Sequence, residues 1–76
     1  MTIASILDTL DTLSTCSRMP ADGRRILSDE ASTLRACVQG LASGRRTRRD
    51  VDTAYCEARR VIALWRPMMA PVGGAS

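Results

Sequence analysis

Hydrophobic residues recur with a helical period in three separate segments of the chain. In the first segment the apolar residues lie three to four positions apart, and hydroxyl and acidic residues fill the positions between them. The apolar residues of this segment are Ile3, Ile6, Leu7, Leu10 and Leu13. The pattern predicts an amphipathic helix over residues 2–17. Its threonines have low helix propensity, so we expect packing, rather than propensity, to hold this helix.

A second helical pattern begins after Met19-Pro20. Proline disfavours a helical conformation in the residue before it and is accepted in a first helical turn. The apolar stripe that follows consists of Leu27, Ala31, Leu34, Val38 and Leu41. Glycine is the usual left-handed residue just beyond a helix, and Gly44 therefore indicates where this helix stops. The pattern predicts a helix over residues 21–43.

A third pattern opens on Thr47 and Asp50, which have the spacing of a capping box with aspartate in place of glutamate. The apolar residues that follow are Val51, Ala54, Tyr55, Ala58, Val61, Ile62 and Trp65. Because Pro67 cannot continue a helix, the pattern predicts a helix over residues 48–66.

These three segments predict an all-α fold, either a small three-helix bundle or a helical hairpin with a docking helix. Only two aromatic residues occur in 76, and helix-forming alanine and leucine are abundant, which disfavours an all-β fold. We expect one domain over residues 1–66 and a flexible tail over residues 67–76. Within that tail, Met68 and Met69 are able to fold back on the core.

Charge is distributed unevenly along the chain. The net charge is +3, all 11 basic residues are arginines, and every one of them lies after residue 17. Residues 1–17 contain only Asp8 and Asp11 as charged side chains. We therefore expect the carboxy-terminal part of the chain to carry the partner-binding surface.

Several functional classes are disfavoured by the composition. The chain has three cysteines, no histidine and no Cys-x-x-Cys motif, which argues against a disulfide framework and a zinc site and favours a reducing, cytoplasmic location. No apolar run is long enough to span a membrane, and no signal-peptide pattern opens the chain. Without histidine, lysine or a glycine-rich phosphate loop, we predict a non-catalytic protein with no cofactor and no metal.

The densest cluster of charge consists of Arg45, Arg46, Arg48 and Arg49. These arginines stand at the amino-terminal, positive end of the third helix dipole, which repels their charge. This repulsion is better tolerated when an anionic partner neutralises the arginines. The alternative is a solvated loop in which Arg48 pairs with Asp52. We expect an acidic surface of a larger protein to bind a basic and aromatic surface. Its predicted residues are Arg45, Arg46, Arg48, Arg49, Arg59 and Trp65.

A second candidate surface is one for self-association. Cys56 and Leu64 lie outside the main apolar stripe of the third helix, and Met68 and Met69 follow that helix. A chain of 76 residues can cover few apolar faces by itself, which predicts a homodimer that uses these four residues.

Three functional hypotheses follow from this build. The first is a protein–protein interaction module, an inhibitor or adaptor that occupies a functional surface of a larger protein; phage- or plasmid-encoded inhibitors of host machinery are similar in size and composition. The second is a small DNA-binding transcriptional regulator, because the arginines open a helix that follows another helix across a turn at Gly44. The third comes from Leu41-Ala42-Ser43-Gly44, where the hairpin resembles the small helical co-chaperones of type III secretion.

Overall fold

The computed structural model describes residues 2–69, and all regular structure in that range is helical. The elements are α1 (Ile3–Ser14), α2 (Ala21–Ala42), α3 (Arg48–Trp65) and a short 3-10 helix (Arg66–Met68). The predicted all-α class is confirmed, and the three helices occur in the predicted order.

Helix α1 is shorter than the sequence pattern predicts, because it ends at Ser14 and not at residue 17. The hydroxyls of Ser14 and Thr15 both donate to the Asp11 carbonyl oxygen, at 2.9 and 3.0 Å. Such local bonds compete with the helical ladder and favour termination. At the other end Thr2 caps the helix by accepting a hydrogen bond from the Ser5 N–H.

Helices α2 and α3 form an antiparallel hairpin along their shared length. Near the start of α2, Gly23 contacts the indole of Trp65 at the end of α3. Close to the end of α2, Gly40 contacts the side chain of Arg46, just before α3 begins. Contact at both ends requires the two axes to run side by side. In a helix-turn-helix unit, by contrast, the axes cross at about 90–120°.

Helix α1 packs mainly against α2 and also reaches α3. It buries Ile6, Leu10 and Leu13, and an ion pair between Asp11 and Arg35 joins α1 to the middle of α2. Both side chains of this pair are about half exposed, so the pair contributes less than the apolar contacts do. The weak intrinsic propensity of α1 is therefore offset by packing, as expected.

The core is made of aliphatic, alanine and sulfur side chains. Its fully buried large side chains are Ile6, Leu10, Met19, Leu27 and Leu34. Met19 was not among the residues that the periodicity indicates as core, because it lies in the α1–α2 connection. The sequence pattern places Leu41 in the apolar stripe of the second helix. In the structure Leu41 is exposed, because it lies in the last turn of α2.

The predicted tail lies partly within the described residues. Arg66–Met68 continues the chain as a 3-10 helix, and Met69 is half-buried against the core while Met68 is exposed. Residues 67–69 of the predicted tail thus belong to the described structure, and Met69 makes apolar contacts there; residues 70–76 of that prediction lie outside the described range. No helix in residues 2–69 is long and apolar enough to cross a membrane.

Candidate functional site

The turn between α2 and α3 presents four exposed arginines, Arg45, Arg46, Arg48 and Arg49, which we call the basic turn. Its backbone is held by hydrogen bonds from the N–H groups of Arg45 and Arg46 to the Gly40 carbonyl oxygen, at 2.7 and 3.0 Å. Gly44 has a φ of 80°, the left-handed conformation that glycine adopts without steric strain. The turn is therefore fixed by its own backbone, and the guanidinium groups project from it.

The capping box predicted for α3 is present and fixes the other side of the basic turn. Thr47 Oγ1 accepts from the Asp50 N–H at 3.3 Å, and an Asp50 carboxylate oxygen accepts from the Thr47 N–H at 2.9 Å. These bonds from Thr47, together with the nearby Arg46 charge, lower the pKa of Asp50 below its ordinary value.

No arginine of the basic turn forms an ion pair within the described part of the chain. The ion pairs in residues 2–69 are Asp11–Arg35 and Glu57–Arg60. The Arg48–Asp52 pair, which would have supported a solvated-loop interpretation, does not form there. Four cations thus share one turn with only the Asp50 carboxylate beside them, which makes this the strongest positive feature of the described surface.

Arg59 and Trp65 do not join the basic turn. Arg59 lies in the second half of α3 with its guanidinium carbon 6.0 Å from the centre of the Tyr55 ring. Trp65 is the last residue of α3, which spans about 27 Å over its 18 residues. The six residues predicted to form one partner-binding surface are therefore spread along the whole helix. The helix predicted over residues 48–66 already implied that the arginines of the basic turn and Trp65 lie at opposite ends of it.

Trp65 is held in the fold instead of being presented to a partner. It is half-buried against the core, and a β-carbon built on Gly23 would lie 2.6 Å from its ring. Its indole N–H is buried and finds no acceptor among the described residues. Packing against α2 is thus the main role that the structure gives this side chain.

The residues predicted for self-association separate into two groups. Cys56 and Leu64 are exposed on α3, Leu64 with 58% of its surface accessible, and Met68 is exposed in the 3-10 helix. Met69 is half-buried against the core and offers less surface. The exposed side of α3 therefore remains available to a partner.

A groove of about 540 Å³ runs between α2 and α3, and sequence reasoning did not predict it. Cys37 and Ala54 are buried in its floor, and Glu30 and Glu57 approach one another across it. Partial burial, together with the Glu57 charge, raises the pKa of Glu30 above its ordinary value. The two glutamates are far apart in sequence, so only the antiparallel register brings them together.

The three cysteines are free and occupy different environments. Cys37 is buried in α2 and Cys56 is exposed on α3. Cys16 is half-buried in the α1–α2 connection, where the backbone N–H and the guanidinium of Arg18 lower the pKa of its thiol. Residues 2–69 contain no group of three side chains able to hold a metal ion.

The described surface thus combines a rigid cationic turn, an open groove and an exposed helix face. In comparisons with known proteins, no protein family matches this sequence, and neither a curated protein nor a solved structure matches it.

Proposed function

We propose that this protein is a small non-catalytic interaction module that docks on an acidic surface of a larger protein through its basic turn, as an inhibitor or adaptor. One observation carries the proposal: four exposed arginines without an ion-pair partner in residues 2–69 stand on a turn held by backbone hydrogen bonds to Gly40 and by the capping box of α3. A turn held by hydrogen bonds loses little conformational entropy on binding. Its positive charge can therefore increase both the affinity for an acidic partner and the rate of association.

The chemistry of arginine suits this role. Each guanidinium offers planar donors that bind a carboxylate in a bidentate manner, and it keeps its charge at every physiological pH. The arginines also lie at the positive end of the α3 dipole, so an anionic partner relieves repulsion that the free protein retains. The partner surface is therefore expected to present clustered aspartate and glutamate side chains.

The same arginines support DNA binding as a second candidate function, because phosphates are also bound by clustered guanidinium groups. The α2–α3 hairpin favours the protein partner over the DNA. Its axes run side by side over their shared length, whereas a recognition helix is presented to the major groove by a helix pair that crosses steeply. A co-chaperone role for the hairpin, by its resemblance, remains a third hypothesis.

Affinity capture from a bacterial lysate, with and without nuclease, tests the proposal. The informative variant is Arg45→Glu/Arg48→Glu, because neither residue lines the α2–α3 groove. The matched control is Arg24→Glu/Arg25→Glu, which makes the same charge change on exposed residues at the opposite end of α2. Circular dichroism verifies that both variants keep the helical content of the native protein.

We expect a protein that survives nuclease treatment to be retained by the native chain and by the control, and to be lost from the basic-turn variant. Equal retention by the basic-turn variant would show that the arginines do not form the docking surface. Capture that disappears with nuclease would favour the DNA-binding alternative, and the dependence of binding on salt would then measure the number of phosphate contacts.

A further inference from the structure

We infer that the exposed side of α3 is a self-association surface, on which two copies of this chain pack their α3 helices antiparallel with Cys56 at the twofold axis. This side, which we call the outer face, lies opposite the buried positions Val51, Ala54, Ala58 and Ile62. Each residue of the outer face is exposed in the structure. Its residues are Arg49, Asp52, Thr53, Cys56, Arg60 and Ala63.

The order of charges on the outer face is self-complementary when the helix is reversed. Asp52 lies four residues before Cys56, and Arg60 lies four residues after it. In an antiparallel pair centred on Cys56, Asp52 of each copy is therefore level with Arg60 of the other copy. One symmetric arrangement thus forms two ion pairs of opposite charge.

Both partners of these ion pairs are available in the single chain. Asp52 makes no ion pair within residues 2–69. Arg60 makes only a loose contact with Glu57, at 3.6 Å, between side chains that are 81% and 54% exposed. Exchanging that contact for one with a second copy loses little, because exposed ion pairs within a helix contribute little to stability.

The shape of the outer face permits two helices to approach. The side chain at the proposed axis, Cys56, is small, and so are Thr53 and Ala63 on either side of it. Cys56 also lies at the middle of the 18 residues of α3, so an antiparallel pair centred on it overlaps along the whole helix. Axial distances of about 8–10 Å are set by the size of such contact residues.

The basic turn determines which orientation is favoured. A parallel pair would bring the basic turns of both copies to the same end, where eight guanidinium groups would repel each other. An antiparallel pair separates the two turns by the length of α3. It leaves both turns exposed to an acidic partner, so this inference does not depend on the proposed function.

The inferred dimer is reversible and forms at high protein concentration. One helix face offers less area than the roughly 800 Å² that each partner buries in a standard interface. Leu64, which is 58% exposed, adds apolar area at the edge of the outer face. We therefore expect monomer and dimer to coexist in the micromolar range.

Charge reversal followed by analytical ultracentrifugation tests the inference. Asp52→Arg and Arg60→Asp each place like charges opposite one another twice in the dimer, so each is expected to weaken the dimer about tenfold or more. The double variant Asp52→Arg/Arg60→Asp restores opposite charges and is expected to recover dimerisation. Asp29→Arg, an exposed change on α2, is the control that alters net charge equally and leaves the dimer intact.

Chemical cross-linking tests the position of the axis. A short bismaleimide is expected to link Cys56 to Cys56 of the second copy in the native protein, and Cys56→Ser is expected to abolish the product. A native chain that remains at 8.2 kDa at high concentration would overturn the inference. So would single charge reversals without effect on dimerisation, or a double variant that fails to recover it while remaining helical, or a cross-link that joins another cysteine.

Discussion

The two ends of the α2–α3 hairpin are stabilised in different ways. At the turn, short-range backbone bonds to Gly40 and the Thr47–Asp50 capping box fix the chain, and the side chains project outward. At the opposite end, Trp65 and the buried Met19 both lie against Gly23, which is distant from Trp65 in sequence. The turn end is thus defined by local hydrogen bonds, and the tryptophan end by tertiary packing.

Because the two ends are held differently, we expect the tryptophan end to determine stability and the basic turn to determine partner binding. Substitutions at the tryptophan end are expected to change the free energy of unfolding with little direct effect on charge. Arginine substitutions in the basic turn are expected to change partner capture with little effect on unfolding, because exposed side chains carry few packing contacts.

The largest effect is expected from Trp65→Ala, at the tryptophan end. Removing the ring leaves a cavity against Gly23, with an expected loss of about 3 kcal/mol. That loss is comparable to the whole stability that a domain of this size obtains from its core. Thermal unfolding followed by circular dichroism measures it. Trp65→Phe, which keeps a ring and removes the unpartnered buried N–H, is expected to lose less than half as much; equal losses would contradict the packing role.

The next effect compares the glycines at the two ends. A β-carbon at position 23 would lie 2.6 Å from the Trp65 ring and 3.0 Å from the Met19 sulfur, so Gly23→Ala is expected to destabilise by about 1–2 kcal/mol. A β-carbon at position 40 would overlap Arg46 Cγ and lie 3.0 Å from Arg46 Cβ, atoms close to the backbone, so Gly40→Ala is also expected to destabilise by about 1–2 kcal/mol. Urea unfolding of both variants provides the comparison. Stability equal to that of the native protein in either variant would contradict close packing at that end of the hairpin.

Thr47→Ala removes the cap that fixes the turn end. The lost hydrogen bond to the Asp50 N–H is expected to lower stability by about 1 kcal/mol and the melting temperature by about 4–8 °C. Thr53→Ala is the control, because this exposed threonine lies inside α3 and alanine has the higher helix propensity. Its melting temperature is expected to stay level or to rise slightly. Equal losses in the two variants would exclude capping as the cause.

The smallest effect is a dependence on pH that differs in sign between two carboxylates. The pKa of Asp50 is lowered in the folded state, so its stabilising contribution is present at neutral pH and is lost as the pH falls through that lowered pKa. The pKa of Glu30 is raised, so its ionised form destabilises the fold at neutral pH, and this penalty disappears as the pH falls through the raised pKa.

Melting temperatures of Asp50→Asn and Glu30→Gln at neutral and acidic pH measure this contrast. At neutral pH we expect Asp50→Asn to be less stable than the native protein. Glu30→Gln is expected to be more stable by about 0.3 kcal/mol, since the group is only partly shielded from solvent. Both differences are expected to shrink in acid. A stability gain in Glu30→Gln that persists at acidic pH would contradict the origin in charge.

The basic turn was predictable because its determinants are local. Thr47 and Asp50 bond across three residues, Gly44 sets one backbone conformation, and the arginines adjoin one another in the sequence. The fold class was predictable for the same reason, since a helical period in hydrophobicity reflects the side of each helix that must leave water.

The core and the second surface were less predictable. Met19 lies in a connection and carries no periodic signal, yet it is buried, whereas Leu41 follows the period and is exposed because it occupies the last turn of α2. A regular four-residue spacing places Asp52, Cys56 and Arg60 on one side of α3. This spacing indicates an exposed face only once the structure shows that the opposite side of α3 is buried.

Local sequence predicts the three helical segments, the cap that begins α3, the turn at Gly44 and the concentration of positive charge beside it. Each of these signals is carried by residues a few positions apart in the chain. The packing of Trp65 on Gly23 and the approach of Glu30 to Glu57 are visible only in the tertiary structure. These relations follow from the antiparallel register of two packed helices, which is set by the fit of all their side chains together.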